Sequence, residues 1–209
     1  MVRTNVYVDG FNLYNGLRRR AKKKGLPQPE FRWLNLVELS RRLLPGSEIQ
    51  VVWYFTSIVK DRTDNPGAGQ RQEIFLRALE AVGVQVIKGR FKRNIVSRRL
   101  ADDQTQSVRV IDFKEKGSDV NLATTLLCDA FDGACEMAAV ISGDSDLRRP
   151  IEIAAAKLER GVAVLNPNVS HARSLERAAT RYVRIKNATF RASQFPEVVA
   201  ERIHKPEPW

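Results

Sequence analysis

Val140-Ile141-Ser142-Gly143-Asp144-Ser145-Asp146-Leu147 joins an apolar, β-branched run to a small-residue turn that carries two carboxylates two positions apart. The run has the composition of a buried strand, and a helix start is expected at Ser145. Near the N-terminus, Val6-Tyr7-Val8-Asp9-Gly10-Phe11-Asn12 repeats the arrangement, a buried-type strand ending in an acid. Two strands that each end in Asp predict a shared acidic site at one edge of a sheet.

The rest of the chain alternates in the same way. Strands are expected at 5–8, 49–56, 84–88, 137–141, 162–165 and 182–185. Helices are expected at 12–23, 34–44, 70–82, 118–131 and 145–160, with a weaker one at 170–179. A Pro/Gly break (Gly25, Pro27, Pro29) separates the first two helices. Residues 90–112 contain two alternating stretches, Phe91 to Val96 and Ser107 to Ile111, around a loop rich in Asp and Gln. They read as an inserted antiparallel hairpin. The pattern predicts an α/β fold, a three-layer sandwich around a mostly parallel central sheet. Right-handed crossovers put the C-terminal ends of the strands, and the helix starts that follow, on one edge. Ligands of such sheets bind where the strand order reverses, and the first strand and the strand ending at Ile141 are the expected neighbours there. Residues 1–187 are read as one domain. Residues 188–209, which lack periodicity and end in Lys205-Pro206-Glu207-Pro208-Trp209, are read as a tail.

The 209 residues are 43% hydrophobic, ordinary for a globular chain. Lys and Arg number 35 against 24 Asp and Glu, a net charge of +11 that favours a polyanionic partner, nucleic acid first. His171 and His204 are the only histidines, which nearly excludes a multi-histidine metal site by count. Cys128 and Cys135 have no ligand spacing and suit a reducing compartment. No stretch has the length of a membrane span or of a signal-peptide core. The expected location is cytoplasmic, with no membrane partner.

Four carboxylates fall on the predicted edge: Asp9, Asp144, Asp146 and Asp119, the last in the first turn after Lys116-Gly117-Ser118. Clustered carboxylates supply the oxygen ligands that Mg²⁺ or Mn²⁺ prefers, and such ions activate water against a phosphodiester. Each Asp alone also suits a plainer role. Asp119 and Asp146 suit helix caps, and Asp9 before Gly10 suits a turn. Gathered together, they repel one another unless a cation is present. Asn12, three residues past Asp9, and Ser142 are candidates to orient the cluster, and Lys116 to contact a phosphate.

Val8-Asp9-Gly10-Phe11-Asn12-Leu13-Tyr14, Lys116-Gly117-Ser118-Asp119-Val120 and Ser142-Gly143-Asp144-Ser145-Asp146-Leu147 resemble, in order and spacing, the three signature segments of NYN domains. That group includes LabA-like proteins and belongs to the PIN-like nuclease superfamily. The resemblance covers about residues 4 to 165. It implies a metal-dependent ribonuclease fold, with Asp9, Asp119, Asp144 and Asp146 as the family's acidic residues and Asn12 as the Asn beside the first. Many PIN domains add a Glu from the second helix, for which Glu38 is the one candidate here.

Two basic clusters complete the picture. Arg18, Arg19, Arg20, Lys22, Lys23 and Lys24 end the first helix, at the edge opposite the acids. Lys88, Arg90, Lys92, Arg93, Arg98 and Arg99 follow a strand and lie on the acidic edge, with Phe91 among them. The second cluster is the expected phosphate track. The sequence thus points to a Mg²⁺- or Mn²⁺-dependent ribonuclease acting on single-stranded or structured RNA. The alternative is an RNA-binding regulatory module with little turnover, and a nucleotide phosphohydrolase is a weaker third.

Overall fold

The computed structural model of the chain describes residues 1–26, 30–61 and 65–207. Pro27 and Pro29 of the expected break, and Pro208 and Trp209 of the expected tail, lie outside these. The first half runs β1 (Val2–Asp9), α1 (Gly10–Lys23), α2 (Leu36–Leu43), β2 (Ser47–Thr56), α3 (Ala68–Ala81) and β3 (Gln85–Lys88). A ribbon follows, β4 (Arg90–Arg99) and β5 (Ser107–Lys116), then α4 (Ser118–Phe131) and β6 (Met137–Ile141). A 3-10 turn at Ser145–Leu147 leads into α5 (Arg148–Lys157). The chain continues through β7 (Val162–Asn166), α6 (Arg173–Ala178), β8 (Arg181–Arg184) and α7 (Asn187–Ala192) to a short hairpin, β9 (Val198–Val199) and β10 (Ile203–His204).

Six strands form one sheet in the order β3-β2-β1-β6-β7-β8, every neighbouring pair parallel. The order reverses between β1 and β6, the two strands expected to meet there. Alternation along β1 builds the three layers. Val6 and Val8 point into a core shared with Leu13, Leu17, Leu39 and Leu79, from α1, α2 and α3. Tyr7 points into the opposite core with Leu122, Leu126 and Ile151, from α4 and α5.

Two expectations change. The helix expected over 145–160 is split, because Asp144 caps a separate 3-10 turn by accepting from Asp146 N–H. The stretch expected as a tail is folded through its described residues. Phe190, Phe195, Val199 and Ile203 are buried in the first core. Trp33 Nε1 donates to Pro196 O at 2.7 Å, and Asn35 N–H donates to Ser193 O at 2.8 Å. Its buried side chains arrive singly, separated by polar residues, so no helical or strand period is legible before the contacts form. Truncating a buried aromatic such as Phe190 costs roughly 3–5 kcal/mol, so the segment contributes to stability.

The ribbon is longer than the expected 90–112 hairpin. Ten register pairs run from Arg90↔Lys116 to Arg99↔Ser107, so Glu115 and Lys116 are its last strand residues. It forms a two-stranded sheet of its own, separate from the main one.

Candidate active site

Asp9 ends β1 at the switch point and is 3% exposed. One carboxylate oxygen accepts from Asn12 N–H at 2.9 Å, which caps α1. The other accepts from Ser142 Oγ, also at 2.9 Å. Burial pushes the Asp9 carboxyl up to about 6; the two hydrogen bonds oppose that shift, and repulsion from Asp119 and Asp144 adds to it. Gly10 follows because nothing larger fits: a Cβ there would sit 2.7 Å from the Tyr54 ring and 2.8 Å from Phe55 O.

The Ser142–Asp146 turn is tied to the same point. Ser142 Oγ, besides donating to Asp9, accepts from Asp144 N–H at 3.0 Å. Asn12 Oδ1 accepts from Gly143 N–H and from Asn168 Nδ2, both at 2.9 Å. Asn168 N–H in turn donates to Asn166 Oδ1 at 2.8 Å. A Cβ on Gly143 would strike Asn168 Nδ2 and lie 2.6 Å from Asn166 Oδ1. The carboxamide oxygen of Asn12 therefore staples three strand ends together, and Asn12 is a positioning residue. Asn166 and Asn168 went unread in the sequence, where β7 shows only as an apolar run.

Asp119, in the first turn of α4, is solvent-exposed, yet its carboxyl is raised above the ordinary range. Partial desolvation is the first cause, followed by repulsion from Asp144, Glu115 and Asp146. Four acids expected at this edge thus feel one another, and Glu115 is a fifth. Its carboxylate accepts from Ser57 Oγ at 2.9 Å and from Ser118 N–H at 3.1 Å. Its place four residues before Asp119, at the end of an alternating strand, was the available signal. Glu38 is ion-paired with Arg42 one helical turn on, at 2.7 Å, and takes no part in these interactions. Among the described residues, no three Asp, Glu, His or Cys side chains converge closely enough to enclose a metal ion.

The basic residues divide. Arg20 leaves the set of candidate RNA contacts. Its guanidinium donates to Pro167 O at 2.9 Å, Asn187 Oδ1 at 2.8 Å and Ile185 O at 2.7 Å, and lies over the Phe190 ring. It clamps α1 to the C-terminal segment. Arg18, Arg19, Lys22 and Lys23 stay exposed. On the ribbon, strand alternation separates the expected track into two faces. Arg93 and Arg99 share one with Phe91, Ile95, Ile111, Phe113 and Glu115. Arg90, Lys92, Arg98 and Lys116 lie on the other. Phe91 meets the Phe11 ring of α1 edge-on at 5.6 Å and Glu115 accepts from Ser118 N–H, so the base of the first face packs against α1 and the start of α4.

Comparison with known proteins agrees with this architecture. The NYN domain family model matches residues 3–186. A relative, 6-hydroxy-3-succinoylpyridine 3-monooxygenase HspA of Pseudomonas putida (strain DSM 28022 / S16), is 24% identical; the match covers all of this chain and 75% of that protein. A crystal structure of a protein of unknown function from Vibrio parahaemolyticus RIMD 2210633 superposes with a TM-score of 0.58 at 18% identity. It covers 89% of this chain and 94% of that one, a likeness of fold. No helix among the described residues is long and apolar enough to cross a membrane.

Proposed function

The chain belongs to the NYN domain family, and from that membership we propose that its acidic edge is the active centre of a metal-dependent ribonuclease. The observation that carries the reading is the Asp9 carboxyl, buried at the switch point of a parallel sheet and pressed by the charges of Asp119 and Asp144. A protein of net charge +11 that nonetheless gathers carboxylates at one edge is well matched to a cation and a polyanion together.

The donor set fits a hard divalent cation. Every candidate ligand is a carboxylate oxygen, and Mg²⁺ commonly takes one or two carboxylates while keeping several waters. A closed three-carboxylate cage is therefore not required. We assign Asp9 and Asp144 as the residues that hold Mg²⁺ or Mn²⁺, with Asp119 and Asp146 completing the site through water. Bound there, the cation would supply an activated water and stabilise the leaving oxygen. Ser142 holds the Asp9 carboxylate by its hydroxyl and the Asp144 backbone by its oxygen, which fixes the spacing of the two acids. Asn12 keeps the turn against β1. Arg93 and Arg99 bind the RNA backbone, and the free thiols Cys128 and Cys135 suit a cytoplasmic location.

A second reading, an RNA-binding module with little turnover, is favoured by the lack of three converging ligands among the described residues. Cleavage of labelled RNA separates the two. Purified protein should cut with Mg²⁺ or Mn²⁺ and stop with EDTA, and Asp9→Asn and Asp144→Asn should lose nearly all cleavage. Undiminished cutting by either variant would refute the site; binding without cutting under any metal would establish the second reading.

A further inference from the structure

A cavity of about 280 Å³ opens beside the acidic edge, on the β2 side of Asp9. Phe11 and Tyr14 of α1, Tyr54 of β2 and Phe75 of α3 give it aromatic walls, and Arg32 and Arg71 bring guanidinium groups to it. The volume lies just below the ligand-pocket range of roughly 300–1,000 Å³, which suits one nucleotide rather than a longer segment. Tyr54 and Phe75 pack edge-to-face with centroids 6.1 Å apart and form a buried floor. Tyr14 is 40% exposed and offers a ring to solvent.

The polar groups are arranged for an anion. Half-burial lowers the Arg32 pKa first of all; the nearby Tyr14 hydroxyl, which hydrogen-bonds to it, opposes this, and the charge of Arg71 adds to it. Two arginines that line one cavity can both donate to a phosphate, which accepts from several N–H donors at once. Arg71 is steadied by donation to Pro66 O at 2.8 Å and to Asn65 Oδ1.

The cavity is also continuous with the acids. Gly10, which lines it, is the residue after Asp9. Tyr54, whose hydroxyl is raised by burial first and then by the charge of Asp9, lines it as well.

We infer that this cavity is a nucleotide subsite, in which one base of the RNA stacks on Tyr14 and its phosphate is held by Arg32 and Arg71. The inference rests on the ribonuclease reading, because it takes the occupant to be the nucleotide next to the bond cut at Asp9. An aromatic face accepts any base, so stacking gives affinity, and the enclosed floor limits ring size and sets preference.

The test uses the four ribonucleoside monophosphates as probes, titrated in EDTA against the full chain by NMR or calorimetry. Saturable binding is expected, at least about tenfold weaker in Arg71→Gln and Tyr14→Ala. Tyr14 is exposed, so its truncation spares the core, and circular dichroism verifies the fold of Arg71→Gln. In cleavage assays the two pocket variants should raise KM about tenfold, change kcat little and alter the base preference beside the cut. Absent binding, or binding unmoved by both variants, overturns the subsite while Asp9-dependent cleavage leaves the ribonuclease standing. Arg71-dependent binding in a protein that cuts no RNA overturns the ribonuclease and leaves a nucleotide site.

Discussion

The Ser142–Asp146 turn and the β4–β5 ribbon are two strongly charged regions of the protein, one acidic and one mainly basic, and they are built in opposite ways. In the turn, Asp9, Asn12, Ser142, Gly143, Asp144 and Asn168 are joined by hydrogen bonds of 2.9–3.0 Å among the ends of β1, β6 and β7. The ribbon is held mainly by its own ladder and carries Ile95, Val108, Ile111 and Phe113 into solvent at 40–57% exposure. The difference teaches a division of labour. Under the proposed ribonuclease function, acids that must act at fixed distances sit where three strands fix them, whereas cations that capture a polymer need only a surface and tolerate an arm.

The largest expected effect falls on the turn. Asp9→Asn or Asp144→Asn should lower cleavage on the order of 10³-fold, as loss of a preorganised charge at a reacting centre does. KM for RNA should move far less. Rates and KM from a labelled oligonucleotide check this. A variant that loses affinity instead of rate would erase the contrast between the two regions.

Next comes stability. In metal-free protein the Asp9 carboxyl is raised to about 6 from its ordinary 3.8. As pH rises through this window the unfolded chain gives up its proton first, so the folded state binds more protons and stability falls with pH. A shift of this size corresponds to about 3 kcal/mol. Urea unfolding in EDTA should therefore find Asp9→Asn more stable than wild type by up to about 3 kcal/mol at pH 8, with the difference closing near pH 4. Added Mg²⁺ should restore wild type and leave the variant unmoved. An equal pH slope in both proteins would mean that the Asp9 charge is not strained.

What the sequence made legible follows from the same contrast. Asp9 and Asp144 were readable because β1 is an apolar run that stops at an acid and β6 is one followed by an acidic turn, and topology alone carries such ends to one edge. Even the neighbours at the strand reversal follow from connection rules. Glu115 and Asn168 were not readable, because their roles depend on which residue sits across a ladder or a turn. Glu115 joins the acids only because β5 continues four residues beyond Asp112 and turns directly into α4. Arg20 looked like one cation in a basic run, and only the return of residues 185–190 against α1 gives its guanidinium internal partners. The C-terminal segment escaped for the related reason that Phe190 and Phe195 fill gaps left by other elements.

A smaller effect belongs to the staple. Asn12→Ala removes the acceptor for Gly143 and Asn168 without touching a carboxylate, and should cost 10- to 100-fold in rate, the usual range for groups that orient ligands. Asn12→Asp, which keeps an acceptor oxygen but adds a further charge beside Asp9, should not rescue it in low Mg²⁺. Rescue of Asn12→Ala by raised Mg²⁺ would indicate that the turn only collects the ion; persistence of the loss at saturating Mg²⁺ is expected, because geometry is what has been removed.

The smallest effect tests the ribbon, and it depends on which face is altered. Arg93, Arg99 and Arg109 lie on the face that Phe91 turns toward α1, where the one acid is Glu115 at the base. On the opposite face, Asp112 already pairs with Arg98 at 3.0 Å and Lys114 at 3.8 Å. Exposed pairs of this kind stabilise little, about 0–1 kcal/mol, but they lower the positive potential offered to a phosphate. Changing Arg93, Arg99 and Arg109 together to Gln should weaken RNA binding about tenfold at low salt. It should also reduce the slope of log K against log salt by about 2, at roughly 0.7 for each phosphate no longer neutralised. Changing Lys92, Arg98 and Lys114 should do less on both measures, and neither triple variant should alter kcat at saturating RNA. Equal losses from the two faces would mean that the ribbon acts as a general cationic field. A loss confined to the Arg93 face makes it a one-sided guide that leads the strand toward Asp9.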